Sequence, residues 1–130
     1  MTGIDTNILV RFFAKDDLDQ FARARDRMRT FNPGHPGFVS LISLIELEWV
    51  LRSRYGMTKV QVIQHMEQLL DASELIVESH MAVTQALHRF TAGKADFADF
   101  LIERCSHLAG CRETITFDED ASKFAGMRLI

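Results

Sequence analysis

The sequence predicts an α/β fold in which a parallel sheet of about four to five strands is covered by helices on both faces. Short apolar runs typical of strands alternate along the chain with longer segments whose apolar residues recur at helical spacing. Turn-forming residues, such as those of Asn32-Pro33-Gly34, separate several of these segments. Strands separated by helices indicate a parallel sheet, and ligands of such sheets bind beyond the carboxyl ends of the strands.

The first 77 residues predict three strands and four helices. Thr58 and Gln61 have the spacing of a capping box. Ser40 or Ser43 is suited to cap the helix that follows these serines and ends near 55–56. In order, the elements are a strand at 2–5, a helix that starts at 6 and has apolar positions up to 13, a helix at 17–30, a strand at 38–40, a helix ending near 55–56, a helix from 58 to 70 and a strand at 75–77.

The remaining residues predict two long helices and two strands. One helix covers 81–90, and Asp96 begins another that ends near Gly110. A strand at 113–117 ends at Asp118, and residues 128–130 form a last short strand. Asp5 and Asp118 therefore both lie at carboxyl ends of predicted strands, where ligands of parallel sheets bind.

Composition predicts one globular domain over residues 1–130. Apolar residues make up 47% and charged residues 25%, which excludes a disordered chain. Because no apolar run approaches the length of a membrane span and no basic flank precedes the first one, we expect a cytoplasmic protein without a membrane partner. Cys105 and Cys111 lack the spacing of a zinc site, and we expect both to be reduced.

Five carboxylates lie where an apolar run meets a turn or a helix start. Acidic side chains are rarely buried unless they are paired or bind a metal. From their apolar neighbours we expect these carboxylates to be largely buried and neutralised by a divalent cation; they are Asp5, Glu46, Asp96, Asp99 and Asp118.

Simpler roles compete with metal binding at several of these positions. Asp96 is equally suited to be the N-cap of its helix. Glu46 and Glu48 point in different directions on one helix, and the neighbours favour Glu48 as the surface residue and Glu46 as the functional one. Asp118 directly follows a strand, so it is favoured over Asp120, although both belong to an acidic helix start.

Oxygen ligands without histidine or cysteine select Mg²⁺ or Mn²⁺ over zinc. Several carboxylates gathered at one strand-end cleft repel each other unless cations are present. Such ions suit phosphodiester hydrolysis, because they activate water and stabilise the attacking and leaving oxygens. The sequence contains no EF-hand loop, no phosphate-binding glycine loop and no serine-nucleophile motif, which excludes those classes of site.

The net charge of −3 gives no overall attraction for nucleic acid, so a polyanionic substrate would depend on local cations. Arginines crowd into two short stretches, 23–29 and 52–54. A solvated helix face is the commoner role of such a run. The candidates for contact with RNA are Arg11, Arg25, Arg29, Arg52 and Lys94.

Four segments in this order resemble the PIN-domain ribonucleases, and closely the VapC toxins of bacterial type II toxin–antitoxin pairs: GIDTNILVR, SLIELEWVLRSRYG, KADFADFLIERCSHLAGC and TFDEDASKF. The resemblance implies a three-layer α/β/α sandwich and an endoribonuclease that depends on Mg²⁺ or Mn²⁺. It also implies a homodimer that is inhibited by a small cognate antitoxin of the VapB kind, which inserts a segment at the acidic cleft.

The resemblance also implies a role for individual residues. The four catalytic and metal-binding acids are Asp5, Glu46, Asp99 and Asp118, with Asp96 as an auxiliary ligand. The groups implied to orient these carboxylates are Thr6, Asn7 and Thr116. Where family toxins often have alanine, this chain has Phe100 and Glu103, which puts local helix packing and the dimer surface in question.

Two other functions remain open from the sequence. One is a PIN-like binding module that regulates a partner without turnover, although retention of the whole acidic set argues against it. The other is a phosphotransfer domain with an aspartate acceptor. That domain would need a lysine soon after a late strand, and none directly follows Thr114–Phe117.

Overall fold

Strands and helices alternate along the chain in the computed structural model, which describes all residues, 1–130. Seven helices and five short strands form, and every strand pairing is parallel. The predicted α/β class is therefore confirmed. The chain divides into two compact units, residues 1–78 and 79–130, which we call the N-terminal unit and the C-terminal unit.

The N-terminal unit contains three strands and four helices in the predicted order. Its first two strands are short, and a helix begins within three residues of the end of each. The elements are β1 (Thr2–Gly3), α1 (Thr6–Ala14), α2 (Leu18–Met28), β2 (Gly37–Val39), α3 (Leu41–Ser53), α4 (Lys59–Asp71) and β3 (Leu75–Val77).

The sheet of the N-terminal unit has the order β1-β2-β3. Gly37 pairs with Thr2 on one side and with Leu75 on the other. A Cβ atom at Gly37 would lie 2.7 Å from Ile4 Cδ1 and 2.9 Å from Leu75 Cδ2, so only glycine fits between these side chains. Because the strands are parallel, their carboxyl ends share one edge of the sheet.

Side-chain caps fix the starts of α3 and α4. Ser40 caps α3 by accepting a hydrogen bond from the N–H of Ser43, which decides between the two predicted serines. The capping box of α4 is confirmed, since Thr58 and Gln61 bond reciprocally at 2.9 and 3.2 Å. These caps fix where α3 and α4 begin.

The core of the N-terminal unit consists of aliphatic side chains from α1, β2, α3 and α4. Helix α3 contacts both α1 and α4, so its apolar stripe is buried from two sides. The fully buried side chains include Leu9, Val39, Leu44, Leu47, Leu51, Val62 and Met66. This packing holds α3 against α1, which matters for the acids on both helices.

The C-terminal unit contains α5 (His80–Ala92), α6 (Phe97–Leu108), β4 (Ile115–Thr116), α7 (Glu119–Phe124) and β5 (Arg128–Leu129). Helices α5 and α6 pack together, with the rings of Phe90 and Phe97 in edge contact at 5.7 Å. A Cβ atom at Gly93 would lie 2.9 Å from the carbonyl oxygen of Arg89, so glycine permits the tight connection between these helices.

Strands β4 and β5 bond only to each other, through Ile115 with Arg128 and Thr116 with Leu129. The five strands thus form parallel sheets of three and two strands, whereas the sequence predicts one sheet of four to five. Strand β4 is also shorter than predicted, because Phe117 leaves the strand and is 83% exposed. No helix of the structure has the length and apolar character needed to cross a membrane.

Candidate metal centre

Asp5 lies directly before α1 and serves as its N-cap residue. Its backbone carbonyl accepts the N–H of Ile8 at 3.1 Å, while its carboxylate makes no capping hydrogen bond. The side chain is exposed. An N-cap carboxylate normally accepts backbone N–H groups of the first turn, so Asp5 keeps its oxygens available for another ligand.

Glu46 is held from α1 by a neighbour of Asp5. The hydroxyl of Thr6 donates a hydrogen bond of 2.9 Å to Oε2 of Glu46. Thr6 is only 7% exposed and directly follows Asp5, so this bond ties the exposed carboxylate of α3 to the start of α1. We call Asp5 and Glu46 the N-terminal acid pair.

The predicted assignment of the two α3 glutamates to core and surface is wrong. Glu48 is 4% exposed and accepts a hydrogen bond of 2.9 Å from Nε of Arg52, whereas Glu46 is exposed and Trp49 is 51% exposed. The buried stripe runs through Leu44, Leu47, Glu48 and Leu51, at helical spacing. An arginine four residues after Glu48 is the signal that would have identified its buried partner.

Glu78 is a carboxylate at the same sheet edge that the sequence analysis missed. It directly follows β3, and its Oε1 accepts the N–H of Leu41, the first residue of α3, at 2.9 Å. Its backbone N–H donates to the carbonyl of Val39. The same sequence signal as for Asp5 and Asp118, an acid immediately after a strand, could have identified Glu78. Its carboxylate, however, accepts a backbone N–H at the start of α3.

In the C-terminal unit, Asp96 and Asp99 lie at the start of α6. Asp96 is the N-cap residue of α6, which confirms the alternative to metal binding that the sequence offers for it. Oδ2 of Asp99 accepts the backbone N–H of Asp96 at 3.3 Å, which directs the Asp99 carboxylate back over the helix start. Asp96 is exposed and Asp99 is half-buried.

Asp118 is the N-cap residue of α7. Its Oδ1 accepts the backbone N–H groups of Asp120 at 2.8 Å and of Ala121 at 3.0 Å. Thr116 accepts the backbone N–H of Asp118 at 2.9 Å, so it positions the main chain of Asp118 and makes no bond to its carboxylate. The hydrogen bonds of Asp118 fix one carboxylate oxygen and leave Oδ2 without such a bond.

The carboxylate of Asp99 is under the influence of three other acids of the C-terminal unit. Partial burial raises the pKa of Asp99, the N–H of Asp96 opposes that rise, and the charges of Asp118, Asp96 and Asp120 add to it. We call these four residues the C-terminal acid cluster. A bound cation would offset the unfavourable effect of these negative charges on ionised Asp99.

The expectation that the five carboxylates are largely buried is wrong. Asp5, Glu46, Asp96 and Asp118 are exposed, and only Asp99 is half-buried. The exposed acids lie at helix starts or, for Glu46, on the outer side of α3, where a side chain reaches solvent. Burial of all five carboxylates therefore gives no reason for a metal, whereas the partial burial of Asp99 beside other acids does.

The donor set fits Mg²⁺ or Mn²⁺, because both acid groups offer only oxygen atoms. No three histidine, cysteine or acidic side chains of the chain already stand in positions that would coordinate one ion. In the C-terminal acid cluster, the free oxygen of Asp118 and the electrostatically strained Asp99 are suited to hold a cation. In the N-terminal acid pair, the carboxylate of Asp5 makes no capping hydrogen bond and is also suited to hold a cation.

The basic residues predicted to contact RNA lie in different settings. Arg11 donates to both carboxylate oxygens of Asp16. Arg25 and Arg29 line an apolar groove of the N-terminal unit. Arg52 bonds to buried Glu48, and Lys94 lies 5.8 Å from the centre of the Phe124 ring. Exposed Asn7 makes no hydrogen bond to either acid of the N-terminal acid pair and lines a groove beside Glu46.

Phe100 and Glu103, which depart from the usual toxin pattern, are both buried. Phe100 packs against Phe90 with ring centres 6.4 Å apart. Glu103 bonds to Arg104 at 2.7 Å and to Arg89 at 3.2 Å, and the hydrogen bond from Arg104 lowers the pKa of Glu103. These residues fill the junction of α5 and α6 and leave the acids at the start of α6 in place.

Comparison with known families supplies the identity of this fold. The family profile described as PIN domain matches residues 4–127, nearly the whole chain. The PIN domain is generally a nuclease fold, and PIN-domain nucleases typically use divalent metal ions. A search of curated proteins finds no match to the chain. The chain belongs to the PIN domain family.

Proposed function

We propose that this protein is a metal-dependent endoribonuclease that hydrolyses RNA phosphodiester bonds, and that it acts as a toxin of the VapC kind. The observation that carries the proposal is the C-terminal acid cluster, in which acids at the starts of α6 and α7 add to the raised pKa of Asp99. Membership of the PIN family and the order of the four acidic segments support the same activity.

The residues proposed to hold Mg²⁺ or Mn²⁺ are Asp5, Glu46, Asp96, Asp99 and Asp118. A bound divalent cation would activate water and stabilise charge on the phosphate oxygens. The protein contributes fixed oxygen atoms: the Thr6 hydroxyl orients Glu46, and the first turn of α7 orients Asp118. Both acid groups are proposed to serve this one reaction.

Cleavage of RNA by the purified protein in Mg²⁺ tests the proposal. Asp5→Asn and Asp118→Asn each keep the side-chain size and remove the charge, so both should lower cleavage more than about 100-fold. That exceeds the usual effect of losing a group that merely orients a ligand. Glu119→Gln is the matched control, because Glu119 is an exposed acid next to Asp118 that belongs to neither group.

Full activity of Asp5→Asn and Asp118→Asn would show that the carboxylates have another role. Cleavage that persists after metal removal by EDTA would exclude the metal-dependent mechanism. Calorimetric titration with Mn²⁺ separates an enzyme from a non-catalytic PIN-like module, because the proposed enzyme must bind the ion and both variants must bind it less tightly.

The toxin role is proposed together with a small VapB-like antitoxin. The N-terminal unit has a groove of about 650 Å³ with an aromatic floor that includes Phe12, Phe13 and Phe21. Lys15, Arg25 and Arg29 line it with one acid, Glu74. Apolar contacts flanked by cations suit an amphipathic, acidic segment of such an inhibitor.

Induced expression should arrest growth, and co-expression of the small protein encoded beside this one should restore it. Phe21→Ala should prevent the rescue without lowering cleavage. The resemblance further supports a homodimer, which sedimentation at several protein concentrations would detect. Growth that continues while RNA is cleaved in vitro would contradict the toxin role alone.

A further inference from the structure

A pocket of about 350 Å³ lies between α1 and the second half of α3. Its volume falls in the range of small-molecule sites, roughly 300–1,000 Å³. Thr6 and Glu46, the hydrogen-bonded pair described above, form part of its lining. The other lining residues are Asn7, Val10, Arg11, Trp49, Val50, Arg54 and Tyr55.

Trp49 is the single tryptophan of the chain and offers a flat apolar surface in this pocket. It is 51% exposed, although a large aromatic side chain is usually more buried. The guanidinium of Arg54 lies 6.0 Å from the centre of its ring and makes no ion pair. A half-exposed indole with an unpaired guanidinium over one of its faces is a combination that the fold of α3 does not require.

The opposite wall of the pocket is fixed by hydrogen bonds. The hydroxyl of Tyr55 accepts from Nη1 of Arg11 and donates to Oδ2 of Asp16, both at 2.9 Å. Nε of Arg11 donates to Gln20 at 2.6 Å. Because Arg11 and Tyr55 are held in this network, the pocket is formed before any ligand binds, which lowers the ordering cost of binding.

We propose that this pocket binds one unpaired RNA base, stacked on Trp49, with the neighbouring phosphate near Arg54. This inference rests on the proposed function in so far as RNA is the substrate, and it assigns to Trp49 the role of a base-binding residue. Stacking on an aromatic ring accepts any base, and guanidinium groups beside the ring bind phosphate. Bases are free to stack in this way only in single-stranded RNA.

The position of the pocket favours RNA over a protein partner. Glu46, a proposed metal ligand, lines the same pocket, so a base on Trp49 would bring its own phosphates towards that carboxylate. Arg54 is the lining cation without an ion pair, because Arg11 is bonded to Asp16, and a guanidinium of this kind suits a phosphate. A second copy of the chain in this pocket would provide no phosphate for the cation. Binding of a second copy is therefore an alternative that the experiments below test.

Tryptophan fluorescence reports on the pocket directly, because every photon of indole emission comes from Trp49. Single-stranded RNA hexamers are titrated into the wild-type protein in EDTA, so that binding is measured without cleavage. We expect base-bearing hexamers to quench the emission and an abasic hexamer of the same charge to leave it unchanged. Equal quenching by the abasic chain, or none by any chain, would overturn the inference.

Affinity variants provide the second measurement. Trp49→Ala should weaken binding of a fluorescein-labelled hexamer about tenfold, and Trp49→Phe should restore it to within about threefold. Ile42→Ala is the matched control, because Ile42 is a 72% exposed apolar residue on the same helix but lies outside the pocket. Arg54→Gln should reduce the salt dependence of log K by about 0.7, the value for one phosphate contact with a single strand.

The outcomes separate this inference from the proposed function. If the protein cleaves RNA in Mg²⁺ while Trp49→Ala and Ile42→Ala bind equally well, only the base pocket is wrong. If the hexamers quench Trp49 but no RNA is cleaved, the pocket is supported and the nuclease proposal fails. If Trp49→Ala leaves RNA affinity intact and instead lowers the sedimentation coefficient of an oligomer, Trp49 belongs to a contact between copies and the inference is overturned.

Discussion

The two units hold their carboxylates in different ways. In the N-terminal unit, Asp5 makes no capping bond and Glu46 is fixed by the hydroxyl of Thr6. In the C-terminal unit, the acids lie at two helix starts, where backbone N–H groups bond to Asp99 and Asp118 and the acids repel one another. The N-terminal acid pair is thus oriented by a side chain, whereas the C-terminal acid cluster is oriented by main chain.

This difference separates function from stability. A backbone N–H that bonds to a carboxylate also completes a helix start, so an acid of that kind contributes to folding as well as to any metal site. A carboxylate held only by a threonine hydroxyl contributes little to folding. We therefore expect substitutions in the N-terminal unit to affect activity with little loss of stability, and those in the C-terminal unit to affect both.

The largest expected effect tests whether both groups serve one reaction. Asp5→Asn and Asp118→Asn should each lower kcat/KM more than about 100-fold, and the double variant should be scarcely worse than either, because residues that act as a unit are strongly non-additive. Single-turnover cleavage of labelled RNA measures the three variants. Losses that multiply in the double variant would show that the two groups act independently.

The two threonines should differ by an intermediate amount. Thr6→Val keeps the shape and removes the donor to Glu46, so kcat/KM and Mn²⁺ affinity should fall about 10- to 100-fold. Thr116→Val removes an acceptor for a backbone N–H and should lower activity much less. Calorimetry and initial rates measure both variants. Equal losses would mean that orientation by a side chain has no special importance in the N-terminal unit.

A smaller effect concerns the N-caps. Asp118→Ala removes two capping hydrogen bonds and should lower the free energy of unfolding by about 1 kcal/mol, whereas Asp118→Asn should keep it within a few tenths. Asp5→Ala removes no capping bond and should be nearly neutral. Urea unfolding of the metal-free proteins gives these values. An equal loss for Asp5→Ala would remove the distinction between the two units.

Local patterns in the sequence predicted most elements and which acids follow strands or begin helices. The capping box at Thr58 and Gln61 and the acids at strand ends depend only on residues close in sequence, so they could be recognised there. The burial of Glu46 and Glu48 could not be predicted in this way, because apolar residues flank both in the sequence. Contacts of α3 with α1 and α4 decide which side of the helix is buried.

Long-range pairing escaped prediction for the same reason. Nothing local to β4 and β5 indicates that they bond only to each other. They do so across the intervening residues 117–127, which include α7. The bonding of Glu78 to the start of α3, 37 residues earlier, is equally non-local. Sequence thus indicates which acids stand at element ends, while tertiary contacts decide which of them serve caps, ion pairs or a metal.

The smallest effect gives the C-terminal acid cluster a pH signature. Because burial and neighbouring charges raise the pKa of Asp99, its ionised form destabilises the metal-free fold at neutral pH, and this penalty disappears as pH falls below the unfolded pKa of about 3.9. Asp99→Asn should therefore be more stable than wild type at neutral pH and equal to it in acid. Urea unfolding across this pH range measures the difference.

Glu103→Gln is the control with the opposite sign. Arg104 lowers the pKa of Glu103, so this carboxylate stabilises the fold above its unfolded pKa, and the contribution is lost as pH falls through the folded value. Glu103→Gln should therefore be less stable than wild type at neutral pH, and Mg²⁺ should stabilise it like wild type but stabilise Asp99→Asn less. If Asp99→Asn is also destabilised at neutral pH, repulsion does not dominate the C-terminal acid cluster. The two acid groups would then not differ in how their charges affect stability.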